Sequence, residues 1–207
     1  MRAVITGILL AAGQSSRFGA DKLLHPMIDD TPMAVVSLRS LNFGVDNVVA
    51  VIRPDKRELA ARLIAEGAQV VECMDADQGM GASLACGARA TAHSDGWLVA
   101  LADMPYIRPT TVKLVASELR AGALLAAPVY RGKRGHPVGF AARFSYQLVD
   151  LSGDTGARTL FDRHNDSAKL LACNDPGILL DVDIPADLER IEHKIGYSGH
   201  QVTPNTV

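Results

Sequence analysis

At 207 residues the chain is long enough for one well-filled core and short for two. A 48% hydrophobic and 21% charged composition with a formal net charge of -2 excludes a disordered polyelectrolyte and a broadly basic nucleic-acid coat. The cysteines, Cys73, Cys86 and Cys173, are odd in number, widely spaced and set in apolar stretches, which excludes a Cys-x-x-Cys metal ribbon and reads as reduced core thiols in a cytoplasmic protein.

The opening apolar run, Val4 to Leu10, is too short to span a bilayer and lacks the charged start and cleavage pattern of a secretion signal. It reads as the first strand. Helical and strand-like patterns then alternate: Met33–Phe43 helical, Asn47–Ile52 strand, Asp55–Glu66 helical, Val70–Cys73 strand, Gly81–Thr91 helical, Trp97–Leu101 strand, Thr110–Ala121 helical. Pro32, Pro54 and Pro109 stand at expected helix starts, and Gly44, Gly67 and Gly122 follow expected helix ends. The alternation predicts an α/β fold, a Rossmann-like three-layer sandwich with a mostly parallel sheet between helices. After Leu124–Val129 the rhythm breaks at the basic turn Tyr130–Gly135, which leads at once into Val138–Ala141 and predicts a hairpin with one antiparallel strand. A helix over Gly156–Arg163, a strand at Lys169–Cys173, the apolar run Ile178–Val182 and a helix opening at Pro185 complete residues 1–195, read as one domain. The polar segment 196–207 reads as a frayed, disordered tail. Repeats, heptads and low-complexity tracts are absent.

The first strand runs into Leu10-Ala11-Ala12-Gly13-Gln14-Ser15-Ser16-Arg17-Phe18-Gly19-Ala20-Asp21-Lys22. Open α/β sheets place ligands at this position, beyond the carboxyl ends of strands. Small residues at Ala11, Ala12 and Gly13 let backbone N–H groups approach a phosphate chain, while Arg17 and Lys22 can neutralise it. The spacing is neither a Walker A loop nor the Gly-x-Gly-x-x-Gly of dinucleotide folds. Read alone, the segment also fits an ordinary strand-to-helix loop with two solvated cations.

This loop resembles the signature of the MobA-like nucleotidyltransferases, and most closely their molybdenum cofactor cytidylyltransferase branch, x-A-A-G-x-S-x-R-M-G-x-x-K. The chain keeps Ala11, Ala12, Gly13, Ser15, Arg17, Gly19 and Lys22, and has Phe18 in place of the methionine. The guanylyl branch opens L-A-G-G, so Ala12 leans toward cytidylyl transfer. The resemblance implies a fold of the nucleotide-diphospho-sugar transferase type, with Leu10 through Arg17 and Lys22 on the nucleotide and Arg17 and Lys22 also catalytic.

Further stations follow the same resemblance. Ala102-Asp103-Met104-Pro105, at the end of an apolar strand, is similar to the family's G-D-M-P, which implies that Asp103 carries Mg²⁺, with Mn²⁺ a possible substitute. On residues alone Asp103 is as easily a turn or cap residue. Asp181 and Asp183 share one side of an extended segment by the period of two, and Asp183, next to the Ile184-Pro185 pair, is the preferred second metal residue over Asp181. Asp183 also suits a cap for the helix that follows. Gly79 and Ser83 match the family's G-x-x-x-S and become base-site residues; unaided, that stretch is a flexible helix entry. Gly135-His136-Pro137 matches the cytidylyl branch's G-H-P, and Gly153-Asp154-Thr155-Gly156-Ala157-Arg158 its G-D-x-G-A-R, placing His136, Pro137, Asp154 and Arg158 on the acceptor side. His25, His93, His164 and Cys86 read as structural, and no Ser-His-Asp triad can be assembled.

The implied reaction is Mg²⁺-dependent transfer of CMP from CTP to the terminal phosphate of molybdenum-bearing molybdopterin, with release of pyrophosphate. Transient contact with a molybdoenzyme client or its chaperone is an expected partnership; nucleic acid and membrane are not. Two other readings remain open: CTP- or GTP-dependent transfer to another phosphorylated acceptor, such as a sugar phosphate or isoprenoid precursor, and a non-catalytic carrier of the molybdenum cofactor.

Overall fold

The computed structural model describes residues 2–14, 18–19, 21–154 and 156–195. Strand β1 (Ile5–Ala11) is buried along its whole length. Its alternation sends Ile5, Leu9 and Ala11 to one face and Ile8 and Leu10 to the other, and both faces are apolar. A strand greasy on both sides belongs in the middle of a doubly covered sheet. There it pairs in parallel with β2 (Asn47–Ile52) and β4 (Gly96–Leu101), and β3 (Gln69–Glu72) adds beyond β2.

Beyond β4 the direction reverses. Strand β7 (Val138–Ala141) lies antiparallel to both β4 and β5 (Leu125–Tyr130), and β8 (Ala168–Ala172) runs parallel to β5. The two-residue β6 (Lys133–Arg134) folds back on the end of β5. The order is β3-β2-β1-β4-β7-β5-β6, with β8 beside β5. The expected antiparallel strand is β7, but it inserts between β4 and β5 instead of extending an edge, and β6 is a second, shorter one.

Helices α1 (Met33–Asn42), α2 (Arg57–Ala65) and α4 (Pro109–Arg120) cover one face through Leu38, Leu41, Leu59, Leu63, Val115 and Leu119. The other face is covered by α3 (Met80–Ala90), α5 (Ser145–Val149) and α6 (Ala157–Arg163), whose Leu84, Leu148, Leu160 and Phe161 surround Trp97 and Phe140. A smaller cluster of Phe18, Met33, Tyr106, Val182 and Ile191 anchors α7 (Pro185–Ile195) beside the first loop. No helix among the described residues is long and apolar enough to cross a membrane.

Local differences from the sequence reading have physical causes. Pro54 heads a turn and α2 starts later, at Arg57. Gly44 follows α1 for packing: a Cβ there would lie 2.8 Å from Val112 Cγ1 and 2.9 Å from the Lys113 backbone nitrogen. The run Ile178–Val182 is not a sheet strand. Buried Asp175 accepts the Gly177 N–H at 3.0 Å and closes a 3-10 turn over Pro176–Leu179, after which the chain continues extended toward α7. Of the three cysteines, all free, only Cys73 is fully buried; Cys86 and Cys173 are half-buried. His25 and His164 pack edge-on against Phe18 and Phe144, with centroids 5.2 and 5.1 Å apart, as expected of structural histidines. The segment 196–207 lies outside the described residues.

Candidate active site

The carboxyl ends of β1 and β4 open into a cleft of about 350 Å³. Its first wall is the loop after β1: Leu10, Ala11, Ala12, Gly13, Gln14 and Lys22 all line it. Ser15, Ser16 and Arg17 lie outside the described residues. Ala11 and Ala12 are buried, whereas Gly13 is exposed and a Cβ on it would meet nothing within 4 Å.

Lys22 starts a 3-10 turn and is only 7% exposed. Its ammonium donates to Asp103 Oδ2 at 2.8 Å and lies 3.6 Å from Asp183 Oδ1. Three residues distant in sequence therefore form one charge cluster. Asp103 reaches it from the end of β4. Asp183 is brought there by the Val182 N–H, which donates to the Asp103 carbonyl at 2.9 Å. Asp187, in the first turn of α7, secures the segment that enters the helix: its Oδ2 accepts the N–H groups of Asp183 at 2.9 Å and Ile184 at 3.0 Å. Those two donors, the Asp183 N–H foremost, with Arg190 and Lys22 nearby, hold the Asp187 carboxyl below its ordinary range. Asp181 is exposed and its charge acts on His136 instead.

The opposite wall is the entry to α3, where Gly79, Met80 and Ser83 line the cleft. Gly79 has φ 115°, a left-handed conformation open to glycine, and a Cβ there would collide with the Asp154 carboxylate and the Gly153 carbonyl. The Gly81 N–H donates to that carbonyl at 2.8 Å, so the 153–154 turn closes over the helix entry. Asp154, expected on the acceptor side, consequently lines this cleft together with the β1 loop.

Asp77 also lines the cleft and was missed in the sequence as a site residue. Its Oδ1 receives Gln14 Nε2 at 3.0 Å and pairs with Arg53 at 2.7 Å, tying the first loop to the α3 entry. Arg53 first, and Gln14 second, hold the Asp77 carboxyl below the usual carboxylate range. The only local signal was an acid directly before the glycine-bearing helix entry.

His136 and Arg158 line a second cavity of about 450 Å³ with Lys133, Arg134 and Phe161. Arg134 lies 4.2 Å over the Phe161 ring and 2.8 Å from Asp162, while Arg158 is largely exposed. Burial pushes the His136 imidazole below its ordinary value, against the Val99 carbonyl and the Asp103 and Asp181 charges, and its Nδ1 is buried without a hydrogen-bond partner. Pro137, joined to His136 by a cis peptide, is buried at the start of β7 and lines neither cavity.

Among the described residues no three His, Cys, Asp or Glu side chains converge on a possible metal position. Two carboxylates beside an open cleft do fit Mg²⁺ or Mn²⁺, which complete their shells with phosphate oxygens and water.

A sheet in the order 3-2-1-4-7-5, with a small-residue loop after β1 and a carboxylate after β4 facing one cleft, defines a nucleotidyltransferase-type fold. A nucleotidyl transferase from Methanothermobacter superposes with a TM-score of 0.78 over 94% of this chain and 99% of its own, at 23% identity, a likeness of fold alone. The chain belongs to the MobA-like NTP transferase family, whose domain profile matches residues 7–168. It is 31% identical over 196 residues, 90% of this chain and 96% of the relative, to a protein of Paenarthrobacter nicotinovorans named nicotine blue oxidoreductase. It also resembles Rv0371c of Mycobacterium tuberculosis H37Rv at 27% identity, with a TM-score of 0.78 over 93% of this chain and all of that one; a further structure of Rv0371c is a complex with manganese.

Proposed function

We propose that the chain transfers CMP from CTP to the terminal phosphate of a molybdopterin-type acceptor in the cytoplasm, releasing pyrophosphate. The observation that carries this reading is the convergence of Lys22, Asp103 and Asp183, at 2.8 and 3.6 Å, on a cleft walled by the β1 loop. Gly13 supports it: among the described residues nothing lies within 4 Å of a Cβ there, which leaves its backbone open to a ligand. The triphosphate lies along the loop after β1, with Arg17 and Lys22 on its oxygens and Gly79 and Ser83 toward the base. Asp103 and Asp183 hold the metal, Mg²⁺ or Mn²⁺, which when bound withdraws charge from the phosphates. The manganese in the Rv0371c structure is consistent with that chemistry.

The basic second cavity suits a phosphorylated acceptor, with Arg158 and Lys133 at its mouth and His136 on its wall. His136, kept neutral by burial, orients and does not neutralise. An acceptor phosphate is already a nucleophile, so the residues work by alignment and charge neutralisation, with little proton transfer. Asp154 stands at the cleft, where the two substrates would meet. Transient docking on a molybdoenzyme or its chaperone would follow release of the product.

The test is incubation with each of the four nucleoside triphosphates, Mg²⁺ and molybdenum cofactor, measuring pyrophosphate and the nucleotide-linked product. Asp103→Asn should cut turnover by about 100-fold or more while leaving the fold intact. Unchanged pyrophosphate release by that variant refutes the role of Asp103, and binding of cofactor without pyrophosphate formation favours a carrier. Product with a sugar phosphate and none with molybdopterin favours the other transferase reading. A redox reading draws on the relative named nicotine blue oxidoreductase. Oxidation of a reduced nicotinamide by this chain, with no pyrophosphate formed from any triphosphate, would favour it.

A further inference from the structure

We infer that Lys22 is the resident counter-ion of the metal carboxylates, and that a divalent ion and a nucleotide bind together because each removes the obstacle to the other. The inference rests on the reading of Asp103 and Asp183 as metal residues and deepens it.

Lys22 is almost fully buried, yet its ammonium is aimed at carboxylates and not out to solvent: Asp103 Oδ2 at 2.8 Å and Asp183 Oδ1 at 3.6 Å. A buried ammonium is tolerated where such partners compensate its lost hydration. Mg²⁺ binds a carboxylate oxygen at about 2.1 Å, so an ion on Asp103 Oδ2 with Lys22 unmoved would bring three positive charges within about 5 Å of each other on one oxygen. Metal alone therefore competes with the ammonium for Asp103 Oδ2, in a cleft whose other described carboxylates are Asp77 and Asp154. Asp77 is already engaged by Arg53 and Gln14.

A triphosphate changes the balance. Lys22 lines the same cleft as Gly13, and its flexible four-carbon stem lets the ammonium turn from the carboxylates onto phosphate oxygens. The vacated carboxylates then take the dication that the same phosphates attract. By linkage, nucleotide raises metal affinity by the factor by which metal raises nucleotide affinity. Lys22 thus acts as a positioning residue for metal occupancy in addition to its contact with phosphate. Loss of pyrophosphate with the metal returns it to Asp103.

Free Mn²⁺, followed by its electron paramagnetic resonance signal, tests this with the full chain. Without nucleotide, Lys22→Met should bind Mn²⁺ about tenfold or more tightly than the unsubstituted protein, because the ammonium that competes for Asp103 Oδ2 is gone. The gain should vanish in Lys22→Met combined with Asp103→Asn. In the unsubstituted protein CTP should tighten Mn²⁺ binding, and in Lys22→Met that enhancement should shrink. Lys22→Gln, uncharged but able to hydrogen-bond Asp103, gives the same comparison if the apolar variant does not fold, as judged by circular dichroism. Equal Mn²⁺ affinity with and without the lysine charge, while binding still depends on Asp103, overturns the inference and leaves the metal reading standing. Mn²⁺ binding that is indifferent to Asp103 in every variant, with CTP present, overturns both.

Discussion

Asp187→Ala separates the structural support of the site from its chemistry. Asp187 is 7% exposed and accepts two backbone N–H groups, from Asp183 at 2.9 Å and Ile184 at 3.0 Å. Removing the acceptor leaves both donors to water. Ile184 is exposed and Asp183 half-buried, so rehydration recovers part of the loss, and the cost should resemble that of an ordinary helix cap, about 1–2 kcal/mol. The Arg190 ion pair adds little, because Arg190 is 75% exposed. For a chain of this length 1 kcal/mol lowers the melting temperature by roughly 2–4 °C, so the variant should melt about 2–8 °C lower at pH 7. The folded carboxyl titrates below its ordinary value of 3.8, so its contribution is fully present above that pH and is lost as pH falls through the folded value. Melting curves of both proteins should therefore diverge at neutral pH and converge below about pH 3.8. A melting difference that persists unchanged to low pH, or none at pH 7, would refute the assignment of Asp187 as an ionised cap. Hydrogen exchange should locate the loosening in α7 and the Asp183 segment.

Other substitutions probe other parts of the same argument. Gly79→Ala places a side chain at φ 115° against Asp154, and should cost about 1–3 kcal/mol in strain while raising KM for nucleotide, measured by denaturation and steady-state kinetics. Phe161→Ala removes a fully buried ring between Phe140 and Arg134 and should destabilise by about 3–5 kcal/mol in urea unfolding. Asp77→Asn weakens the Arg53 and Gln14 tie across the cleft and should raise KM for nucleotide more than it lowers kcat. Burial, helped by the neighbouring Cys73 thiol, pushes the Cys86 thiol up to about 11, so iodoacetamide should label Cys86 slowly at pH 8 and faster as pH rises toward that value, followed by mass spectrometry.

The alternation of strands and helices was legible in the sequence because it follows from local rules, whereas the loop after β1 and the carboxylate after β4 stood out only through the family resemblance. Burial on both faces of β1 shows as an unbroken apolar run. Side-chain period and turn chemistry act over a few residues, so the linear order of residues carries them directly. The insertion of β7 between β4 and β5 was decided by its pairing with β4, distant in sequence, for which a hairpin pattern gives no address. The meeting of Asp183 with Lys22, the bond from the Asp183 N–H to Asp187, and the turning of Asp154 toward the first cleft came about the same way. Each depended on a backbone bond or a steric contact between distant segments, Val182 with Asp103 and Gly79 with the 153–154 turn. The sequence named candidate residues for phosphate and metal; only packing of the chain on itself decided which of them meet.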